Sequence, residues 1–358
     1  MPSLKEIKGR INSISSTLAI TSAMKMVAAA KLQKAQMAIQ NMLPYERRLH
    51  SMLLDLMGAM NISAAASEDG SVRGSGSAER GFDQSGDRLS LSNRHDLAGM
   101  DGAYSLMAQR EVRKVAIVAF ASNSSLCGAF NSNVIREATA VINEYRALGL
   151  GDADITVYSV GRKMAETMKK LGFPSPADFT KMSDSPSYEA ASALAQELFD
   201  GFVSGRFDKV ELVYNHYKST SSQPTIRQTY LPLSLADATA DLQAGKIADS
   251  ASESDTNRGA EPVGAPVVRQ GSPTTEDLIV EPSKEELIAT LLPKVVRLRV
   301  FTTLLDSAAA EHAARTVAMQ LATDNGNDLL QELTLEYNKG RQQKITSEIL
   351  DLVGGSLQ

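Results

Sequence analysis

The 358-residue chain lacks tryptophan, has one cysteine and is poor in aromatic residues, which make up 5% of it. A single cysteine, Cys127, excludes an internal disulfide and a cysteine-rich zinc site, as is typical of a reducing compartment. The formal net charge of −5 argues against nucleic acid as the main partner, because phosphate contacts need a surplus of lysine and arginine. No apolar run reaches the roughly 18 residues of a membrane span, so any membrane association is expected to be through partners. Met1 to Glu6 resemble no signal or transit peptide, which predicts a cytoplasmic protein starting at or next to Met1.

The few aromatic residues are unevenly placed. Fifteen of the 18 lie between residues 61 and 282, whereas eight of the 14 methionines lie in the first 60 residues. Slender, flexible side chains at both ends suit long helices that pack on each other.

Apolar residues from Leu4 onwards recur at alternating intervals of four and three. Ten of the first twelve positions in this seam are apolar, and the exceptions are Thr21 and Lys25. A period of 3.5 predicts a left-handed coiled coil over residues 1–60. The seam is expected to shift near Met24, and Pro44 is expected to kink or end the helix.

The C-terminal part predicts a still longer helix. A capping box at Ser283 to Glu286 begins helix-compatible sequence that runs to about Val353. At 1.5 Å per residue this helix would span roughly 105 Å, which no compact domain can hold. We therefore expect residues 1–60 and 278–358 to form an antiparallel pair that projects from a globular domain, with bends in the second helix at Pro293, Gly326 and Gly340.

The middle of the chain alternates predicted strands and helices. Over residues 109–235 this alternation predicts a Rossmann-like α/β domain with a mainly parallel sheet. Residues 61–108, of which 16 are glycine or serine, and the acidic residues 236–277 are predicted to be flexible insertions. Leu278 to Val280 is predicted as a short strand returning to the sheet. The fold class is thus α/β, with a long antiparallel coiled coil of the terminal helices and a central domain.

Candidate chemistry is weak. The segment Ser122 to Asn131 follows the first strand, where doubly wound enzymes hold phosphate, but it lacks both glycine-rich phosphate motifs, so a polar turn is favoured. Cys127 has no basic neighbour in the sequence and is predicted to be a buried packing residue. The histidines show no metal spacing, and no paired carboxylates are evident. The residues predict no catalytic, cofactor or metal site.

The terminal helices resemble those of the gamma subunit of F-type ATP synthases, the rotating central shaft of that complex. The resemblance covers about three quarters of the chain, omitting the two insertions. It rests on ordered motifs at Leu4–Ile11, Ile20–Ala28, Leu126–Asn131, Gly161–Lys163, Val213–Asn215 and, in several pieces, Glu311–Gly355. Ser356 and Asn123 to Ser125 depart from the family pattern.

The resemblance implies a shaft that couples proton flow through a membrane sector to ATP synthesis or hydrolysis by rotation. It implies three alpha and three beta subunits, an epsilon subunit and a membrane c-ring as partners. It further implies no catalytic group of the chain's own, no cofactor, and a peripheral position on the cytoplasmic side of the bacterial inner membrane.

The same resemblance implies contacts between rotor and stator. Leu352 and Val353 would lie in an apolar bearing of the ring, and Met24 and Lys25 would face a beta-chain lever. Polar contacts to the ring would come from Arg315, Arg341, Gln342, Thr346 and Glu348. Periodicity alone describes the last four as a solvated helix face. On the residues alone, a coiled-coil scaffold with an α/β head and a nucleotide-dependent α/β enzyme are the alternatives.

Overall fold

A computed structural model describes residues 3–59, 106, 110–233 and 284–355. Apart from Leu106, the two predicted insertions and the predicted strand at Leu278 to Val280 lie outside the described residues. Leu106 falls within the first predicted insertion, but its side chain is fully buried and its carbonyl oxygen accepts a 2.8 Å hydrogen bond from Leu233 N.

Two long helices dominate the molecule. Helix α1 is Leu4–Ala59 and the last helix, α6, is Lys284–Gly355. They run antiparallel, because Gly340 of α6 lies beside Leu4 and Gly326 lies beside Leu18. The antiparallel helical pair predicted from the sequence is confirmed.

Of the two outcomes predicted at Pro44, a kink or an end of the helix, the end is wrong. Helix α1 continues through Pro44 and α6 continues through Pro293, Gly326 and Gly340. A proline removes one helical hydrogen bond, but Met42 and Leu49 on either side of Pro44 pack against the same cluster on α6, and this packing keeps the helix in one piece.

The burial of α1 follows the predicted seam. Ile7, Ala28, Leu32 and Leu49 are each less than 9% exposed. Thr21, one of the two polar positions, is half-buried and lies 3.1 Å from Thr323 of α6 between hydroxyl oxygens. The seam therefore continues through Thr21, since a polar residue on α6 meets it.

A four-stranded sheet forms the centre of the globular part. Its strands are β1 (Val115–Phe120), β2 (Ile155–Val160), β3 (Lys209–Asn215) and β4 (Thr225–Leu231), in the order β2-β1-β3-β4. The first three are parallel, and β4 is antiparallel to β3. The short turn between β3 and β4 explains this exception, because only an antiparallel pair can be joined by a hairpin.

Helices cover both faces of the sheet. Helix α2 (Phe130–Ala147) and helix α3 (Arg162–Lys170) pack on one face around Val134, Ile142 and Met168. Helix α5 (Tyr188–Val203) and part of α6 pack on the other around Leu198, Phe202, Val300 and Leu304. The short helix α4 (Thr180–Asp184), absent from the sequence prediction, precedes α5. Because α6 belongs to both the helical pair and the core of this sheet domain, the two parts share packing.

Candidate functional site

The crevice at the carboxyl ends of β1 and β3 is occupied by α6. The chain leaves β1 towards β2 and leaves β3 towards β4, so this is the switch point at which doubly wound proteins bind ligands. Here Ala310 of α6 packs on Cys127 and Phe130, which follow β1, and Asp306 of α6 accepts a hydrogen bond from Tyr217 N, which follows β3. A neighbouring space at the carboxyl ends of β1 and β2 is lined from the sheet domain by Phe120, Ala121, Val160 and Ser183, and from α6 by Leu304, Ser307, Ala308 and Glu311. A helix of the chain itself therefore stands where a diffusible ligand would bind.

The polar segment after β1 is bonded internally. The Asn131 side-chain oxygen accepts from Ser122 N at 3.0 Å, and the Asn123 side-chain oxygen accepts from Arg162 N at 2.7 Å. Ser122 O accepts from Lys163 N at 3.2 Å, so the first two N–H groups of α3 are engaged. This arrangement fits a polar turn and leaves these donors unavailable to a phosphate.

Cys127 lies inside this turn and is 1% exposed. Its sulfur lies 3.2 Å from the side-chain nitrogen of Asn131. The prediction that Cys127 is a buried packing residue is confirmed.

A buried ion pair lies within α6, and its arginine also bonds to the same turn. Arg315 donates to Glu311 at 2.7 Å and to the hydroxyl of Ser124 at 2.7 Å. Burial raises the pKa of the Glu311 carboxyl, and Arg315 acts in the opposite direction. Arg315, predicted to contact the ring, thus has partners within its own chain, and one of them is a residue that departs from the family pattern.

A second charged cluster lies within the sheet domain. Glu211 is 1% exposed and accepts hydrogen bonds from Tyr145 at 2.6 Å and from Arg227 at 2.6 Å, while Lys209 lies at 2.7 Å. Burial raises the pKa of Glu211, but these three bonds outweigh it and lower the pKa overall. Because both oxygens of this buried carboxylate have partners, the cluster has a structural role in the domain.

The end of α6 projects beyond α1. Because Gly340 lies beside Leu4, residues 341–355 extend for about 22 Å past the start of α1, without a partner helix among the residues that the structure describes. Every residue from 341 to 350 is exposed. Over residues 341–350 the projecting end, defined as residues 341–355, is therefore a solvent-exposed helix.

Most of the predicted contact residues lie on this projecting end. They are Arg341, Gln342, Thr346, Glu348 and Leu352. Leu352 is 74% exposed and Ile349 is 54% exposed, so the end presents apolar as well as polar side chains. The Thr346 hydroxyl donates to Gln342 O at 2.9 Å. Val353 belongs to α6, but its side chain lies outside the described residues.

Met24 and Lys25 occupy a different part of the helical pair. Both are half-buried at the seam. The neighbouring Ile20, Met26 and Val27 are 60%, 66% and 58% exposed, and sequence reasoning missed them. In the sequence these three residues are recognisable because they are apolar although they lie outside the heptad seam. A search for the seam alone disregards them.

The predicted residues do not converge on a pocket. They lie at Met24 and Lys25, at Arg315, and on the projecting end, and the 26 helical steps from Arg315 to Arg341 alone span about 40 Å. Within residues 3–59, 106, 110–233 and 284–355, no three acidic, histidine or cysteine residues are grouped as metal ligands. Over the same residues, no helix combines the length and apolar character of a bilayer span. Such an arrangement is typical of a shaft-like protein whose contacts are spread along its length.

Comparison with known proteins agrees with this class. A family model described as ATP synthase matches residues 3–357. The chain is 46% identical to the ATP synthase gamma chain of Phocaeicola vulgatus, with 100% of both chains covered. It is 36% identical to that of Flavobacterium johnsoniae, with 99% of this chain and 98% of the relative covered.

A solved structure has the same fold. It is the cryo-EM structure of Euglena gracilis mitochondrial ATP synthase with OSCP, F1 and c-ring in rotational state 3. The matched chain is 19% identical with a TM-score of 0.52, and 98% of this chain and 92% of that chain are covered. The chain therefore belongs to the ATP synthase gamma chain family, and the resemblance found in its sequence motifs is confirmed.

Proposed function

We propose that this chain is the central rotor shaft of an F-type ATP synthase and that it is itself non-catalytic. The observation that carries the proposal is the projecting end of α6, a single exposed helix with polar and apolar side chains. A lone helix presents different side chains in different directions. Three beta subunits arranged around it would each meet a different face and so be held in different states.

In this proposal the projecting end sits inside a ring of three alpha and three beta subunits. Leu352 and Val353 contact its apolar bearing, while Arg341, Gln342, Thr346 and Glu348 make polar contacts. The 74% exposure of Leu352 supports this assignment. Apolar surface contributes about 25 cal/mol per Å² of favourable free energy to binding when a partner covers it.

Met24 and Lys25 face a lever of the beta chains. The exposed Ile20, Met26 and Val27 extend this contact, because grouped apolar side chains on a surface mark a site of protein contact. Arg315 is proposed as a further polar contact with the ring. Its bonds to Glu311 and Ser124 orient its guanidinium before any partner binds.

The sheet domain and the adjoining part of the helical pair face the epsilon subunit and the membrane c-ring. The chain is then a peripheral protein on the cytoplasmic side of the bacterial inner membrane. Turning of the c-ring rotates the projecting end and takes each beta subunit through its cycle. The packing of α6 on the residues that follow β1 and β3 supports the absence of a nucleotide site in the chain itself.

The test is co-expression with alpha and beta chains. We expect a stable assembly whose ATPase activity depends on this chain and whose attachment to the membrane sector allows ATP-driven proton pumping. A monomer that binds nucleotide alone would favour an enzyme instead. A homodimer that ignores alpha and beta chains would favour a coiled-coil scaffold.

A further inference from the structure

One tyrosine of the sheet domain contacts both long helices. Tyr217 lies in the turn between β3 and β4, and Gln36 of α1 donates a 2.7 Å hydrogen bond to its hydroxyl. Its side chain packs on a cluster shared by the two helices and on a second cluster that includes the turn after β1. The first cluster holds Leu32, Ala309 and Ala313, and the second holds Cys127, Phe130 and Ala310. Tyr217 therefore stands at the point where α1, α6 and the sheet domain meet.

The backbone of Tyr217 is fixed to α6 by an aspartate. Asp306 Oδ1 accepts from Tyr217 N at 2.9 Å, and its Oδ2 lies 2.6 Å from Nδ1 of His216. Both carboxylate oxygens thus hold adjacent residues of the turn. This leaves the tyrosine ring little freedom to move away from α6.

The turn itself is rigid. His216 N donates to Pro224 O at 2.8 Å, and the Gln223 side chain donates to Ser219 O at 3.0 Å and to Thr220 O at 2.6 Å. A turn closed by its own hydrogen bonds can transmit a displacement instead of absorbing it.

The two helices differ in how they are attached to the sheet domain. Helix α6 shares the core of the domain through Val296, Val300 and Leu304. Near this point Leu32 is the one large side chain of α1 in the buried cluster, and it meets Ala309 and Ala313 of α6, whereas Leu49, Leu53 and Leu56 of α1 meet large apolar residues of α6. Less apolar surface is therefore buried between the two helices here. A contact that ties α1 to the domain is therefore needed most at this level.

We propose that Tyr217 is a positioning residue that locks α1 to the sheet domain, so that both helices and the domain turn as one body. This inference rests on the proposed rotor function. Without the lock, α1 can move along α6 and no longer stiffens it against twisting, so part of the rotation delivered by the domain twists α6. Less of it then reaches the projecting end.

The experiment uses the whole ATP synthase in inverted membrane vesicles and measures protons pumped per ATP hydrolysed. Tyr217→Ala is expected to assemble and hydrolyse ATP but to pump fewer protons per ATP. Tyr217→Phe, which loses only the bond to Gln36, is expected to recover most of the ratio because the ring still packs on both helices. The matched control is Tyr188→Ala, which removes a ring packed 5.7 Å from Phe301 of α6 and is expected to leave the ratio unchanged.

A second variant lies outside the sheet domain. Gln36→Leu changes one half-buried position of α1 and is expected to lower the ratio in the same direction, but by less. If Tyr217→Ala fails to assemble, Gln36→Leu decides the question. An unchanged ratio in Tyr217→Ala, or an equal loss in Tyr188→Ala, would overturn the proposal. Failure of the unmodified chain to assemble or to support ATPase activity would instead remove the rotor function on which it rests.

Discussion

Gly161 lies against Ala121 so closely that a β-carbon at position 161 would stand 2.0 Å from the Ala121 carbonyl oxygen. The φ angle of Gly161 is +94°, which L residues with a side chain rarely adopt. The start of α3 and the end of β1 are therefore in backbone contact, and this contact places Arg162 N and Lys163 N on the turn that follows β1.

Replacement of Gly161 is expected to destabilise the chain strongly. Gly161→Ala should lower the free energy of unfolding by at least about 2 kcal/mol, because both the steric clash and the positive φ oppose a methyl group. Urea unfolding of the purified chain, followed by circular dichroism, measures this change. Gly9→Ala is the control: no atom lies within 4 Å of the added methyl in an exposed part of α1, so a gain of about 0.5–1 kcal/mol is expected. Equal effects at the two glycines would contradict the prediction.

Arg315 is expected to matter for stability whatever it contacts in a complex. Its side chain is 12% exposed and that of Glu311 is 9% exposed, so Arg315→Ala leaves a buried carboxylate without its partner. We expect a loss of about 3 kcal/mol at neutral pH. Denaturant unfolding of the variant and the parent chain measures it.

The loss should depend on pH with a defined sign. Burial already raises the pKa of Glu311 in the folded chain, and removal of Arg315 raises it further. A folded-state pKa above the unfolded value means that stability falls as pH rises through that window, so the variant should regain stability towards acidic pH. Arg113→Ala breaks an exposed pair with Glu111 and should change stability by less than about 1 kcal/mol. A pH-independent loss at Arg315 would argue that packing, and not charge, is responsible.

The pair of His216 and Asp306 should weaken as pH rises. The hydrogen bond to Asp306 raises the pKa of His216, although burial opposes it. A raised folded-state pKa means that the stabilisation is complete below the unfolded pKa of about 6.5 and is lost as pH rises through the folded value. The difference in melting temperature between the parent chain and His216→Gln should therefore be larger at about pH 6 than at about pH 9. A difference that grows with pH would show that the histidine is not held as a cation.

Substitutions on the projecting end should affect function more than stability. Arg341, Gln342 and Glu348 are exposed, so replacing all three by alanine is expected to change the free energy of unfolding by less than about 1 kcal/mol. In the assembled enzyme we expect altered ATPase turnover or fewer protons pumped per ATP. An assembled triple variant with unchanged ATPase and pumping would contradict the proposed ring contact.

The sequence predicted the helical pair and most of the sheet because both depend on local periodicity. Ile7 and Leu32 are buried where the heptad pattern places them, and β2 begins and ends where its apolar run does. The pattern of one helix does not say what it meets, so Thr323 opposite Thr21 was not foreseen. Tyr217 was missed for the same reason, since its role comes from contacts with three distant segments.

The contact surface on the projecting end could be predicted only from the resemblance to a known family. The side chains from Arg341 to Glu348 have the period of any solvated helix face, and family motifs alone marked them as a contact surface. Their exposure follows from a length difference, because α6 continues past the start of α1. That difference can be read only when the register of the two helices is known.

Helix α6 in the switch-point crevice behaves as a tethered ligand of the sheet domain. A segment held in the same chain acts at an effective concentration on the order of millimolar or higher. A free molecule competing for the crevice would have to overcome that advantage and also expose the core that Leu304 helps to form.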